Sequence, residues 1–238
     1  MSTQAPIILA VDTQDVETAA RWVSATHDYV SVYKLGLEFF LRHGHAGYKA
    51  ISDNSDAQIF LDLKLHDIPN TVASAVNAVK ELSPRFLTVH ASGGSAMISA
   101  AADAAGSIDI TAVTILTSLS EQDLFEIGYS NNAVESATSL AVLATRAGAR
   151  AIVSSPLEIT SIRASVGSDP IIITPGVRPA SSTASDDQVR TMTPEAAISA
   201  GANYVVIGRP ITQQWVNGAD AMTLAARSIA ESIHAIRV

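Results

Sequence analysis

The feature that most limits the fold is an alternation: short β-branched runs and alanine-rich, helix-like stretches follow one another from end to end. Candidate strands lie at 7–11, 30–34, 59–62, 86–89, 110–116, 151–153, 171–173 and 204–207. Helix-like segments include 16–24, 72–82, 95–105, 136–146 and 194–200, and a last one at 219–236 closes the chain. Strands alternating with helices signal βαβ units on a parallel sheet. Eight such strands, each followed by a helix, predict a single (β/α)8 TIM barrel, with an open doubly wound sheet as the alternative. The 238 residues suit one barrel domain over residues 1–238. No internal repeat of fixed period and no Pro/Ser linker marks a second domain. The least regular stretch, residues 175–193, is rich in Ser, Thr, Asp and Pro and reads as a long functional loop.

Composition removes several classes of function. The N-terminal MSTQAPIILAVD has no basic region and only a short apolar run, so it does not read as a signal peptide. No apolar stretch approaches the length that spans a bilayer, so no membrane role is expected. Cysteine is absent, which removes disulfides and thiolate metal sites. A net charge of −8 argues against nucleic-acid binding, which needs a basic face. The expectation is a globular, cytoplasmic protein.

In a barrel, functional groups stand at the C-terminal ends of the strands. Here those ends are polar. Asp12 follows the first strand in phase with Ile8 and Ala10, and Lys34 ends the second in phase with Val30 and Val32. Asp62 and Lys64 end the third, His90 the fourth, and Thr117 with Ser118 the fifth. The densest cluster is DLKLHDIPNT, residues 62–71, which sets Asp62, Lys64 and Asp67 within six positions. In an extended segment i and i+2 share a face, so Asp62 and Lys64 should project together, with Asp67 on the following turn. Taken alone, D-x-K-x-x-D also fits a solvated loop with weak ion pairs. So many polar strand ends on one rim are better explained by a site.

The last two strands run into ITPGVRP and VIGRPIT, placing Pro175–Gly176 beside Arg178 and Gly208 beside Arg209. Loops after strands seven and eight form the recurrent phosphate site of this fold. Glycine lets backbone N–H groups approach an anion, and arginine adds a charge-assisted grip. His43 and His45 form an H-x-H on a helix-like run, where i and i+2 diverge, so they read as exposed polar residues and not as metal ligands. His66 flanks the charged cluster, and His90 reads as a rim histidine. No metal site, Ser-His-Asp arrangement or glycine-rich nucleotide fingerprint is expected.

Taken in order, these pieces resemble the orotidine 5′-phosphate decarboxylase family, the last enzymes of de novo UMP synthesis. The likeness runs from LAVD at Leu9 to IGRPIT at Thr212. Between them come YKLGLE with Lys34, DLKLHDIPNT, VHASGG, LTS, TPGVRP and DDQ with Gln188. The resemblance implies conversion of orotidine 5′-phosphate (OMP) to UMP and CO2 without a cofactor. It makes Lys34, Asp62, Lys64 and Asp67 an alternating charged array, with Lys64 as proton donor to C6 of the pyrimidine. Asp67 and Thr71 would be supplied across a homodimer interface. Asp12 and Lys34 would contact the ribose, and Thr71 the ribose or its phosphate side. Ser118 would hold the pyrimidine amide, with Thr117 beside it. Gln188, Gly208 and Arg209 would bind the 5′-phosphate, while Pro175 and Arg178 frame the closing loop.

That chemistry fits the residues present. Removing CO2 from C6 leaves a carbanion with no adjacent carbonyl, and no motif offers a cofactor electron sink. Electrostatics and a positioned proton donor must do the work. Two rival readings stand beside it. A Mg2+-dependent relative, resembling 3-keto-L-gulonate 6-phosphate decarboxylase or hexulose-6-phosphate synthase, shares D-x-K-x-x-D but places an acidic ligand where this chain has Lys34. A non-catalytic barrel that only binds a sugar phosphate would gain nothing from the extra carboxylates.

Overall fold

The computed structural model describes residues 3–53, 55–179 and 192–236. Among them, eight parallel strands run in sequence order: β1 (Ala5–Ala10), β2 (Val30–Gly36), β3 (Gln58–Leu65), β4 (Phe86–His90), β5 (Asp109–Val113), β6 (Ala151–Val153), β7 (Ile171–Thr174) and β8 (Tyr204–Ile207). The helices among them are α1 (Val16–Thr26), α2 (Leu37–Ser52), α3 (Pro69–Val79), α4 (Gly94–Ala105), α5 (Glu121–Glu126), α6 (Ala133–Arg146), α7 (Ile159–Val166), α8 (Pro194–Ser199), α9 (Arg209–Thr212) and α10 (Ala219–Ala235). The sheet is a closed barrel, because β8 pairs back onto β1 through Ile7↔Val205, Ile8↔Val206 and Leu9↔Ile207. The expected (β/α)8 barrel is thus observed, and the open sheet is not.

Closure separates two cores. Side chains pointing inward fill the barrel: Ile8, Val32, Phe60, Phe86, Ala151 and Ile173 are all buried together. The Phe86 ring meets Phe60 edge-on at 5.7 Å and Tyr204 at 5.8 Å. Those contacts make the interior a packed floor and not a pore. The alternating residues, among them Ile7, Leu9, Leu35, Leu61 and Leu87, pack outward against Val23, Val76 and Ile98 of the helices. Burial on both faces explains why β1 reads APIILA without a polar break.

Local signals set several helix starts. The Asp15 carboxylate accepts the Thr18 N–H at 2.7 Å ahead of α1, and Asn132 accepts the Glu135 N–H at 2.9 Å ahead of α6. Pro69 occupies the first turn of α3, where its missing N–H costs nothing. That helix starts before residue 72 and ends at Val79, followed by a 3-10 turn, Lys80–Leu82. Two strand ends also differ from expectation. The third strand runs on to Leu65, beyond residue 62, and the fifth stops at Val113, before residue 116.

The opposite end of the barrel carries charge of another kind. Asp109, at the start of β5, is buried between Arg85 at 3.0 Å and Arg150 at 3.4 Å. Polar groups at that face support the fold and leave the chemistry to the other rim.

Candidate active site

The centre of the C-terminal rim is Asp62. Its side chain is 10% exposed and receives both lysines. Lys64 Nζ donates to the two carboxylate oxygens at 2.8 Å each, and Lys34 Nζ stands 3.6 Å from Oδ2. Lys34 also faces Asp12 Oδ1 at 3.6 Å. The chain of charges is therefore Asp12, Lys34, Asp62, Lys64, alternating in sign across the ends of β1, β2 and β3. Burial pushes the Asp62 carboxyl up, but Lys34, Lys64 and the hydrogen bonds from Lys64 and Thr88 outweigh it and hold it below the ordinary carboxylate range. Asp62 is thus ionised at neutral pH and fixes both ammonium groups.

The backbone that delivers this pair is not a regular strand. The β3–β4 register steps from Leu61↔Leu87 to Leu65↔Val89, so β3 takes four residues where β4 takes two. Inside that bulge Lys64 has φ +48°, a left-handed conformation that costs a non-glycine residue about 1–2 kcal/mol. Asp62 and Lys64 do converge, as expected, but through a bulge instead of simple i, i+2 alternation. Thr88 of β4 lies opposite. It is fully buried, its Oγ1 accepts the Lys64 backbone N–H at 2.8 Å, and its hydroxyl donates to Asp62 Oδ1 at 2.9 Å. Thr88 is not among the residues picked out from the sequence, since a threonine inside a β-branched run gives no signal of its own.

A cleft of about 290 Å³ opens above this array. Phe60, Val113, Val153 and Val206 form part of its apolar lining, while Asp12, Lys34, Asp62 and Lys64 line one side. Thr117, Pro175, Gly176, Arg178, Gly208 and Arg209 complete much of the remainder. Gly176 has φ +77°, so glycine is required at that turn. A Cβ at Gly208 would meet Ala10 Cβ at 3.4 Å and Asp12 Oδ2 at 3.9 Å, both ordinary contact distances. The stem of the loop after β7 is tied by an isolated bridge between Val177 and Met192, with the Arg178 N–H donating to Met192 O at 2.9 Å.

Not every expected residue reaches this cleft. Ser118 is exposed and absent from the cleft lining, where its neighbour Thr117 is present. The reason is that β5 ends at Val113, which leaves both residues in a turn where only one faces inward. Asp67 and Thr71 are exposed on the turn before α3 and on its first turn, outside the lining, and Asp67 Oδ1 accepts the Ile68 N–H at 2.6 Å. Gln188 lies outside the described residues, as do residues 180–191 of the 175–193 loop. His43 is half-buried instead of exposed, with Nε2 2.9 Å from Gln14 O, and the glycine after it kinks α2 at φ +54°. The His66 and His90 rings meet at a tilt of 39°, 5.4 Å between centroids. Burial, with His66 and Lys64 nearby, holds the His90 imidazole below its ordinary range. Among the described residues no group of three or more His, Asp or Glu side chains is poised to hold a metal ion.

Fold and site together define an α/β barrel with a lysine–carboxylate centre on its C-terminal rim. The sequence model of the orotidine 5′-phosphate decarboxylase / HUMPS family matches residues 5–222, and the chain belongs to that family. It is 53% identical to the orotidine 5′-phosphate decarboxylase of Thermobifida fusca over 93% of this chain and 95% of that protein. Against the Frankia casuarinae enzyme of the same name the figures are 45%, 98% and 89%. The crystal structure of the Lactobacillus acidophilus orotidine 5′-phosphate decarboxylase superposes with a TM-score of 0.82 at 35% identity, covering 96% of this chain and 98% of that one.

Proposed function

We propose that the chain is an orotidine 5′-phosphate decarboxylase that converts OMP to UMP and CO2 in pyrimidine biosynthesis. The observation that carries this reading is the Asp12–Lys34–Asp62–Lys64 array lining a cleft together with Arg178 and Arg209. A ribosyl orotate phosphate presents a phosphate as well as a reacting carbon, and the cleft lining offers arginines as well as lysines. Arg209 and Gly208, with Gln188 from the loop, take the phosphate. Thr117 and Ser118 meet the pyrimidine edge, and Asp12 and Lys34 the ribose.

In this reading the C6–carboxylate bond breaks with its electron pair left on C6. The Lys64 ammonium stabilises that carbanion and then donates a proton to it, while CO2 departs. Asp62 holds Lys64 in place beforehand, so little reorganisation accompanies the charge shift. Phosphate contacts remote from C6 supply binding energy for closing the site. The exposed stretch from Asp67 to Thr71 is the part of the motif that a second copy of the chain would use: Asp67 extends the neighbour's array and Thr71 its ribose side. The whole chain serves as one barrel domain working as a cytoplasmic homodimer. Among the described residues no helix is long and apolar enough to cross a membrane.

The Mg2+-dependent alternative meets a specific obstacle. Lys34 places an ammonium 3.6 Å from Asp62, where a divalent cation would have to sit.

The experiment that tests the reading compares OMP with orotidine, which lacks the phosphate. Wild type should decarboxylate OMP far faster. Arg209→Ala should lose roughly 2–5 kcal/mol in kcat/KM on OMP, the value of a charge-assisted grip. The loss should shrink on orotidine, and Gln188→Ala should follow the same pattern more weakly. Equal fractional losses on both substrates would assign Arg209 to the fold or the ring site.

A further inference from the structure

We infer that Thr88 is a positioning residue for Lys64 and Asp62: inside the β3 bulge its hydroxyl accepts the Lys64 backbone N–H and donates to the Asp62 carboxylate, fixing both groups at once. This rests on the decarboxylase reading above and assigns a role to a β4 side chain that does not face the cleft.

The need for such a residue follows from the backbone. The register break between Leu61 and Leu65 takes Lys64 out of the regular β3–β4 pairing, and its N–H turns toward the Thr88 side chain. An unpaired buried N–H is costly, and a lysine held at φ +48° has no intrinsic reason to stay there. Thr88 Oγ1 takes that N–H at 2.8 Å. Having accepted there, the hydroxyl has one proton to give, and it goes to Asp62 Oδ1 at 2.9 Å. One buried atom thus sets the left-handed turn that aims the Lys64 side chain and the carboxylate that receives its ammonium. A valine has nearly the same shape and can do neither.

Asp62 is enclosed by groups from several strands. Lys34 of β2 and Lys64 of β3 are the charges in contact with it. Thr88 and the His90 imidazole come from β4, with His66 beyond His90 and Asp12 beyond Lys34. Removing the Thr88 donor leaves the lysines but takes away one interaction that favours the ionised carboxylate. The Asp62 titration should therefore move toward higher pH, and the acid limb of the kcat profile with it.

The test uses the full chain as Thr88→Val, Thr88→Ala and Thr88→Ser. The two hydroxyl-free variants should lose about 10- to 100-fold in kcat through misplacement of Lys64, with the dissociation constant of UMP changed less than about threefold. Thr88→Ser retains the hydroxyl and should recover most of kcat. In parallel, the Asp62 carboxylate is titrated by carbon-13 NMR, with Asp62→Asn identifying its signal; its midpoint should rise in Thr88→Val and not in Thr88→Ser. A kcat within about twofold of wild type in both hydroxyl-free variants would overturn the inference. So would equal impairment in Thr88→Ser, which would assign the effect to the methyl group. A wild-type chain inactive on OMP would defeat the decarboxylase reading instead, and the NMR titration would then decide on Thr88 by itself: a raised midpoint supports it, an unmoved one overturns it.

Discussion

Lys64→Ala is expected to lower kcat/KM for OMP by about 10⁴- to 10⁷-fold while the barrel stays folded. The variant loses a proton donor, which contributes about 10²–10⁴-fold, and the cation beside the developing carbanion, which contributes a further 10²–10³-fold. Folding should survive because the Lys64 side chain is 30% exposed and leaves no apolar cavity when shortened. Asp62 keeps Lys34 at 3.6 Å and the Thr88 hydroxyl at 2.9 Å, so its carboxylate is not abandoned in the interior. Kinetics on OMP, with far-UV circular dichroism to check the fold, decide the matter. Turnover near that of wild type would remove Lys64 from the chemistry.

Asp67→Ala should also be strongly damaging, by about 10²–10³-fold, although Asp67 is exposed and lies outside the cleft of its own chain. The effect follows if the residue acts in the neighbouring subunit. In that case Lys64→Ala and Asp67→Ala chains, mixed and allowed to exchange, form heterodimers with one site carrying both lesions and the other carrying neither. A random equal mixture has half its dimers mixed and half of their sites intact, so activity should return to at most about a quarter of wild type. No recovery despite demonstrated exchange would place the whole array within one chain.

The fold was legible because barrel strands buried on both faces read as short, β-branched and largely apolar runs, as PIILA in β1 and AIV in β6 do. The short helices α5 and α9, with six and four residues, and the glycine-kinked α2 leave weaker periodic traces. The charged centre was legible in DLKLHDIPNT because Asp62 and Lys64 sit close in sequence and face one cleft. What was hidden is how they meet. The bulge in β3 depends on β4 as its partner, and Thr88 lies twenty-four residues from Lys64. That Ser118 stands exposed outside the lining was hidden for a related reason: its direction is set by where β5 stops, and the run ITAVTIL continues past that point without a polar break other than Thr114.

The most direct measurement follows the absorbance of OMP with the purified chain in EDTA. A decarboxylase that relies on lysines and carboxylates should convert OMP completely to UMP, at a rate unchanged by chelation and by added Mg2+. Strict dependence on Mg2+, or no loss of OMP at all, would contradict the account.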